Sequence, residues 1–370
     1  MEKHTGEALK SPACPFLKRP GAARNRIGLN ARRSERDHHS MTKAGGINED
    51  AYKYPQNDCG GSVCESILDA VGRTPLIRLG RMPEPGSAEV LVKMEALNVG
   101  GSIKTRTALN MINEAEKAGL LSKDSIIVEP TSGNQGIGLA LVGAVRGYRT
   151  IIIMPDSVSE ERRKLVRHYG AEVRLIHDSG DIGKCIDECL TTALRMREKD
   201  PKVFVPQQFE NPNNTLAHKK ATVLEIMEQA ARPIHGFCSG IGTGGTLTGI
   251  GEVLKEHYPD IEIWAVEPEN AAILAGGTIG THMQMGIGDG IIPEILNRSI
   301  YDEIYVVTDS EALETSKRLA REEGLMVGIS SGTNVAAALK LAKKLGEGKT
   351  VVTVLPDTAE RYFSTPLFEE

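Results

Sequence analysis

The sequence lacks the features by which several classes of protein are recognised. None of its 370 residues belongs to an apolar run approaching the roughly 18 residues of a membrane span. The formal net charge of −5 offers no basic excess of the kind that nucleic-acid-binding proteins carry. The six cysteines follow neither a disulfide-framework spacing nor a zinc spacing. We therefore expect a cytoplasmic protein that contacts neither membrane nor nucleic acid and holds no metal.

Residues 1–60 also lack the apolar periodicity of a folded domain. They are rich in Arg, Lys, His, Ser, Pro and Gly, and the stretch RNRIGLNARRSERDHH is typical of a solvated, flexible chain. The segment has no apolar core of a secretory signal. An organelle-targeting segment and a tail upstream of an alternative start at Met41 both stay open. We predict a flexible tail over residues 1–60.

From about Ser66 onward, short apolar runs alternate with longer helical patterns. EVLVKME, SIIVEP and YRTIIIMP are typical strands, and IKTRTALNMINEAEKAG, with its apolar residues on one stripe, is a typical helix. The strands are continuously apolar, which indicates sheets that are covered on both faces. The alternation predicts an α/β protein with parallel strands and crossover helices.

Ligands of open α/β sheets bind beyond the carboxyl ends of the strands, so the strand-to-helix turns are the places to search for a site. In the turn NVGGSIKTR, Gly100 and Gly101 allow a tight bend and Ser102 can cap a helix. Lys104 then falls at the start of that helix, where the macrodipole disfavours a cation. A surface lysine tolerates this conflict, whereas a lysine that works as a neutral amine or imine avoids it. Lys104 is thus a candidate catalytic residue.

Two further turns are suited to binding anions through backbone amides. EPTSGNQGIG (129–138) offers hydroxyl and N–H groups that suit a carboxylate, although a polar turn with a helix cap explains it equally well. GIGTGGTLTG (240–249) has neither the G-x-G-x-x-G dinucleotide spacing nor the G-K-[ST] ending of a P-loop, which favours a single phosphate. A fourth turn, GISSGTN (328–334), is weaker evidence because helix capping explains it.

One lysine, a carboxylate turn and a monophosphate turn together indicate pyridoxal phosphate (PLP). The aldehyde of PLP requires an amine, its phosphate requires amide donors, and its amino-acid substrates carry a carboxylate. PLP serves its enzymes as an electron sink for carbanions. We therefore predict a PLP-dependent enzyme that acts on a small amino acid.

The sequence resembles the cysteine synthase/cystathionine β-synthase family, the fold-type-II PLP enzymes, from about Ile67 to Leu367. The resemblance implies a tryptophan synthase β-like architecture, with two α/β domains of mostly parallel twisted sheets flanked by helices, and a homodimer. The larger domain would comprise 61–97 and 210–370, and the smaller, mobile domain 98–209 would carry the carboxylate turn. The shared motifs occur in family order: GRTPLIRL, NVGGSIKTR, EPTSGNQGIGLA, PQQFENPNN, GTGGTLTG, GISSG and LPDTAERYFST.

The resemblance also implies roles for individual residues. Lys104 matches the Schiff-base lysine, and Asn134 matches the asparagine beside the PLP 3′-oxygen. Ser330 matches a serine at the pyridine nitrogen, whose neutrality favours β-elimination and replacement over transamination. The other matches are the phosphate loop, Gly242, Thr243, Gly244, Gly245 and Thr246, and the shell around the substrate carboxylate, Thr131, Ser132, Gly133, Gln135 and Gln208.

By resemblance, the reaction is a β-replacement on a serine- or cysteine-type amino acid. The substrate displaces Lys104 from the cofactor, and the released amine removes the α-proton as a general base. Loss of the β-substituent leaves an α-aminoacrylate, to which a small nucleophile adds. The version that we expect is the cysteine synthase reaction, in which O-acetylserine and sulfide give cysteine.

Three positions depart from the usual sulfhydrylase pattern. Thr105 replaces an aspartate, Gln135 replaces a threonine, and Asp289 stands in GIGDGIIP where cysteine synthases read GIGAGFIP. Asp289 is either a loop aspartate bonded to local amides or a carboxylate near the substrate β-carbon that activates water or a thiol. The second interpretation keeps open a cysteine desulfhydrase that forms serine or pyruvate, a cystathionine β-synthase-like enzyme and a diaminopropionate-type synthase. An inactive phosphate-binding protein conflicts with the intact catalytic positions.

Overall fold

The computed structural model describes residues 63–179 and 182–369, so the tail predicted over 1–60 lies outside the described residues. Within them, no helix is long and apolar enough to span a bilayer. The strands are β1 (Leu76–Arg78), β2 (Glu89–Met94), β3 (Ile126–Pro130), β4 (Arg149–Pro155), β5 (Glu172–Ile176), β6 (Val203–Phe204), β7 (Gly236–Gly240), β8 (Glu262–Pro268), β9 (Glu303–Val307) and β10 (Thr350–Leu355). The helices are α1 (Lys104–Lys117), α2 (Asn134–Arg146), α3 (Glu160–His168), α4 (Ile182–Lys199), α5 (Pro212–Ala217), α6 (Val223–Ala230), α7 (Gly245–His257), α8 (Asp309–Glu323) and α9 (Ile329–Leu345).

The larger sheet has six strands in the order β1-β2-β10-β7-β8-β9, and only β1 runs antiparallel to its neighbour. At its centre, Val351 of β10 pairs with Val90 on one side and with Gly236 on the other. Val351 packs among apolar residues of α8 and α9, whereas Val352 faces those of α6 and α7. Helices therefore cover both faces, which is why the strands are apolar throughout. The prediction of a mostly parallel α/β fold is confirmed.

The smaller sheet has four parallel strands in the order β5-β4-β3-β6. Ile152 packs with residues of α1 and α2, and its neighbours Ile151 and Ile153 pack with Cys185 and Cys189 of α4. These two cysteines are therefore core residues. All four strands lie within residues 98–209, while the larger sheet uses chain on both sides of that range. The movement of 98–209 as a separate domain stays a prediction.

The helix that begins within the PQQFENPNN motif is interrupted, which the sequence pattern did not predict. A widened turn, His218–Thr222, separates α5 from α6. The neighbouring helix α7 approaches this turn closely, because a Cβ on Gly249 would lie 2.6 Å from the Thr215 carbonyl oxygen and 2.7 Å from the His218 Cβ. Widened turns of this kind are frequent at functional sites. Here the turn directs His218 towards the start of α7.

The glycines and serines of GISSGTN predicted a turn before a helix. In the structure, most of this segment lies within the helix itself. Helix α9 begins at Ile329 and includes Ser330 and Gly332. A Cβ on Gly332 would overlap the carbonyl oxygen of Ala312 in α8. The small residues therefore allow α8 and α9 to pack closely, and they place Ser330 in the first turn of α9.

The carboxyl ends of strands from both sheets meet at one place. Residues 131–133 follow β3, residues 241–244 follow β7, and residues 356–358 follow β10. Some residues of each of these segments line the same cavity. The candidate site thus lies where the strand-end rule for open α/β sheets predicts it.

We expect Gly332→Ala to lower the free energy of unfolding by about 3 kcal/mol, because the added methyl group has no space between α8 and α9. Gly80→Ala is the matched control, since its nearest neighbour would be a flexible glutamate side chain 3.9 Å away. Urea denaturation of both variants measures the difference. Equal stability of the two would contradict the close packing of α8 and α9.

Candidate active site

A cavity of about 180 Å³ lies at the meeting point of the strand ends. It brings together segments that are far apart in the sequence, from the start of α1 to the first turn of α9. Among the predicted site residues, Gly245 does not line it but belongs to the turn that does. The predicted residues in its lining are Lys104, Thr131, Ser132, Gly133, Asn134, Gln135, Gln208, Gly242, Thr243, Gly244, Thr246, Asp289 and Ser330.

Lys104 is the first residue of α1, as predicted. The Ser102 hydroxyl accepts the Lys104 backbone N–H at 3.3 Å, and the Lys104 Nζ donates to the Thr243 hydroxyl at 3.4 Å. Burial lowers the pKa of the Lys104 amine to about 8, against the opposing effect of the Asp289 charge. An amine with this pKa is neutral in an appreciable fraction of molecules near pH 7–8, which nucleophilic attack on a carbonyl requires.

The turn after β7 is shaped to receive an anion. Gly244 has a left-handed φ of 76°, and a side chain on Gly242 would collide with the backbone of Gly286. The turn therefore exposes its backbone to the cavity, and the first N–H groups of α7 have no acceptors within the helix. Asn214 supports the turn by donating to the Thr243 hydroxyl at 3.0 Å. These features fit the monophosphate predicted for GIGTGGTLTG.

His218 lies behind this turn and was not identified from the sequence. Its Nε2 is 3.4 Å from the Thr246 hydroxyl, and its Nδ1 is 3.0 Å from the Thr222 hydroxyl. Burial, together with the charges of Lys104 and Arg106, holds the pKa of His218 well below its usual range. A neutral imidazole therefore contacts Thr246. The widened turn that directs His218 here has no recognisable sequence pattern.

The turn after β3 has the groups that a carboxylate requires. The Thr131 hydroxyl accepts the Gly133 N–H at 3.2 Å, and α2 begins at the next residue, Asn134. The side-chain carbonyl of Gln135 accepts a hydrogen bond from the Thr107 hydroxyl at 2.7 Å. The buried Gln135 amide nitrogen has no acceptor among the described residues.

Glu129 holds the chain that carries Gln208. Its two carboxyl oxygens accept the backbone N–H groups of Gln207 at 2.9 Å and Gln208 at 3.0 Å. The side chain is fully buried at the end of β3. Burial raises the pKa of Glu129 to about 7, although these two hydrogen bonds oppose the shift. Glu129 is a second residue that sequence reasoning missed.

Ser330 is placed by a residue one turn further along α9. The Asn334 side chain accepts the Gly240 N–H at 2.7 Å and donates to the Val354 carbonyl at 2.8 Å. These bonds attach α9 to the carboxyl ends of β7 and β10. Ser330 is therefore buried at the cavity with a neutral hydroxyl group.

Asp289 lies on a glycine-rich loop that is attached to β7. Gly288 has a left-handed φ of 66° and donates its N–H to the Ile241 carbonyl at 2.8 Å. Burial raises the pKa of Asp289, and the charges of Lys104, His282 and Arg162 oppose this effect. The structure thus places an acid in the cavity and in electrostatic contact with Lys104.

A buried amine that can be neutral, a backbone site for a monophosphate and a polar turn for a carboxylate define an α/β enzyme that acts on small amino acids through a phosphorylated carbonyl cofactor. The family model described as pyridoxal-phosphate dependent enzyme matches residues 67–357. The chain belongs to this family, and its cofactor is PLP.

The relatives cover the predicted range of chemistry. A cysteine synthase of Staphylococcus aureus is 47% identical over 305 residues, which are 82% of this chain and 97% of that protein. The crystal structure of O-ureido-L-serine synthase is 43% identical with a TM-score of 0.79, covering 83% of this chain and 96% of that one. The crystal structure of a hydrogen sulfide-producing enzyme from Fusobacterium nucleatum is 40% identical with a TM-score of 0.77, covering 81% of this chain and 100% of that one. The resemblance to cysteine synthases is confirmed.

We expect the Glu129 carboxyl to make stability depend on pH. Its folded-state pKa is raised, so the folded protein binds the proton more tightly, and stability falls as pH rises from about 4.5 to about 7. Glu129→Gln removes this titration. The stability of the wild type relative to Glu129→Gln should therefore fall by about 2 kcal/mol between pH 5 and pH 8, as measured by urea denaturation.

The exposed acid Glu269 provides the control for this measurement. Glu269→Gln should give a stability profile parallel to that of the wild type. A Glu129→Gln profile that is also parallel to the wild type would refute the raised pKa.

Proposed function

We propose that the protein catalyses a PLP-dependent β-replacement on a serine- or cysteine-type amino acid, in the manner of a cysteine synthase that forms cysteine from O-acetylserine and sulfide. The observation that carries the proposal is the Lys104 amine, buried with a pKa of about 8 and bonded to the anion-binding turn at Thr243. When bound, PLP accepts the electron pair released at the substrate α-carbon.

The proposed cofactor contacts follow from the cavity walls. The backbone amides of 242–246 bind the phosphate, with the Thr246 hydroxyl held by the neutral His218. Lys104 would hold the aldehyde, and its amine would serve as the base for the α-proton. Ser330 offers a neutral hydroxyl to the pyridine nitrogen, which therefore stays unprotonated. Asn134 contacts the 3′-oxygen.

The turn 131–133, together with Gln135 and Gln208, is proposed to bind the substrate carboxylate. Its support is the row of hydroxyl and amide donors at the start of α2, including the Gln135 amide nitrogen that has no acceptor among the described residues. A carboxylate bound here lies at the positive end of the helix dipole. The substrate would thus be held in the same cavity as Lys104.

Asp289 supports a second candidate function, a cysteine desulfhydrase that releases sulfide and forms serine or pyruvate. Its carboxyl is in the cavity with a pKa raised by burial, which suits a general base for water or a thiol. The likeness to a hydrogen sulfide-producing enzyme is in accord with this activity. A cystathionine β-synthase-like or diaminopropionate-type reaction would use the same base on a larger nucleophile.

We further propose a cytoplasmic homodimer in which 98–209 closes over the substrate and excludes water. The four-stranded sheet and the carboxylate turn both belong to that segment, which supports its movement as one body. The homodimer is supported by the family resemblance, and the cytoplasmic location by the cysteine pattern of the sequence.

Purified protein should absorb at about 410 nm through its lysine-bound PLP. Lys104→Ala should lack this band, and its turnover should be at least about 10³-fold lower. The reason is that the variant has neither the amine that binds the aldehyde nor the base. The exposed Lys123→Ala is the control and should match the wild type. A 410 nm band that persists in Lys104→Ala would refute the assignment.

The two candidate functions are separated by assays with single substrates. Sulfide, serine and pyruvate are measured with cysteine alone, and cysteine is measured with O-acetylserine plus sulfide. If Asp289 activates water, Asp289→Asn should lower sulfide release from cysteine by about 10²-fold while largely sparing cysteine synthesis. Glu294→Gln, which removes an exposed acid from the same loop, should change neither rate. Unchanged turnover in Asp289→Asn excludes the base role.

A further inference from the structure

The side-chain amide of Asn134 lies between two buried charged residues from the end of the chain. Its Nδ2 donates to Asp357 Oδ2 at 2.7 Å, and its Oδ1 accepts from the guanidinium of Arg361. Both charged side chains are buried and follow β10. Asn134 itself lines the cavity at the first turn of α2.

These two partners allow only one orientation of the amide. A carboxylate offers acceptors, so the NH₂ group of Asn134 must face Asp357. A guanidinium offers only donors, so the carbonyl oxygen of Asn134 must face Arg361. Rotating the amide by half a turn would place its carbonyl oxygen against the Asp357 carboxylate and its NH₂ group against the Arg361 guanidinium. One N–H of Asn134 then has no partner among the described residues, so the amide can offer a donor to the cavity that it lines.

Arg361 also controls the loop in front of Lys104. Its second terminal nitrogen donates to the Gly100 carbonyl, and the Thr358 N–H donates to the Gly101 carbonyl at 3.2 Å. A Cβ on Gly101 would lie 2.8 Å from the Arg361 guanidinium, so the loop and the arginine pack directly together. The planar guanidinium of Arg361 thus joins the loop before Lys104 to Asn134. A lysine at position 361 could not reproduce this geometry.

Fold stability does not account for this arrangement. Asp357 Oδ1 and Arg361 Nε are buried without a partner among the described residues, and unpaired buried groups of this kind are costly. Apolar side chains of similar size would often serve stability as well. Exceptions of this type are expected where a site requires them.

We propose that Asp357 and Arg361 are positioning residues that orient the Asn134 amide, so that it offers a hydrogen-bond donor to the 3′-oxygen of PLP. The inference rests on the proposed function, because only the family match places Asn134 beside that oxygen. A donor at this position favours the ionised form of the oxygen, and an acceptor would favour the neutral hydroxyl.

The absorption spectrum of the holoenzyme tests this orientation independently of activity. The neutral form of the bound cofactor absorbs near about 330 nm and the ionised form near about 410 nm. In Asp357→Asn, an amide that can accept or donate replaces a carboxylate that only accepts, so this partner no longer fixes the orientation of Asn134. We expect the ratio of the 330 nm to the 410 nm band to rise by about tenfold, as loss of one hydrogen bond to a charged acceptor produces.

Tyr362→Phe is the matched control. The Tyr362 hydroxyl donates to the same Asp357 oxygen at 2.7 Å, so this variant also disturbs the buried carboxylate but leaves its bond to Asn134 in place. Its band ratio should equal that of the wild type. A ratio raised as strongly as in Asp357→Asn would show a general structural effect and overturn the proposal.

A double variant that exchanges the two side chains separates the orientation of residue 134 from its hydrogen bond to residue 357. In the double variant Asn134→Asp, Asp357→Asn, the two side chains can bond again, but residue 134 now offers acceptors to the cavity. Thermal stability should recover towards the wild type while the 330 nm band stays high. Recovery of the wild-type spectrum together with stability would refute the proposal. If the double variant does not fold, the comparison of Asp357→Asn with Tyr362→Phe decides.

The proposed function fails in a different way from this inference. Wild-type protein without a 410 nm band would refute the proposed function. Wild-type protein that has the band, with Asp357→Asn giving the same spectrum, would refute the positioning role alone.

Discussion

The burial of the Lys104 amine, with no fixed carboxylate partner in the described part of the chain, constrains the rest of the site. Burial disfavours the charged form and lowers the amine pKa to about 8, while Asp289 acts on it from across the cavity. A closer acid would stabilise the ammonium form, and open solvent would restore an ordinary pKa. The walls of the cavity therefore set the pKa of the amine, and burial with the charge of Lys104 in turn lowers the pKa of the nearby His218. The reactivity of the amine thus depends on the fold as a whole.

Backbone N–H groups contribute to the positive potential of the site. Helices α2, α7 and α9 all begin at the cavity, so the N–H groups of their first turns face it. The same field attracts a phosphate or a carboxylate and opposes a charged lysine. A chain with net charge −5 can therefore bind anions without a basic surface. For α2 and α7 this follows from the parallel strands, because each strand-to-helix turn lies at the same edge of its sheet, whereas α9 follows α8.

Much of this site could be predicted because its motifs are local. Lys104, Asn134 and the 242–246 turn sit in short glycine-rich segments whose spacing carries their chemistry. Glu129 and His218 could not be found in this way, because they act on Gln208 and Thr246, which lie 79 and 28 residues away in the sequence. Ser330 was predicted from its family motif, but its place inside α9 followed from the close packing of Gly332 on α8.

The sequence by itself determined the α/β class, the lysine and the anion turns, because these depend on local periodicity and on residues within single turns. Only the tertiary structure decided how the groups are tuned. The lowered pKa of Lys104, the raised pKa of Asp289 and the orientation of the Asn134 amide all depend on burial and on charges from distant segments. Electrostatic interactions act through space in a medium that the fold creates, so sequence patterns alone do not contain them.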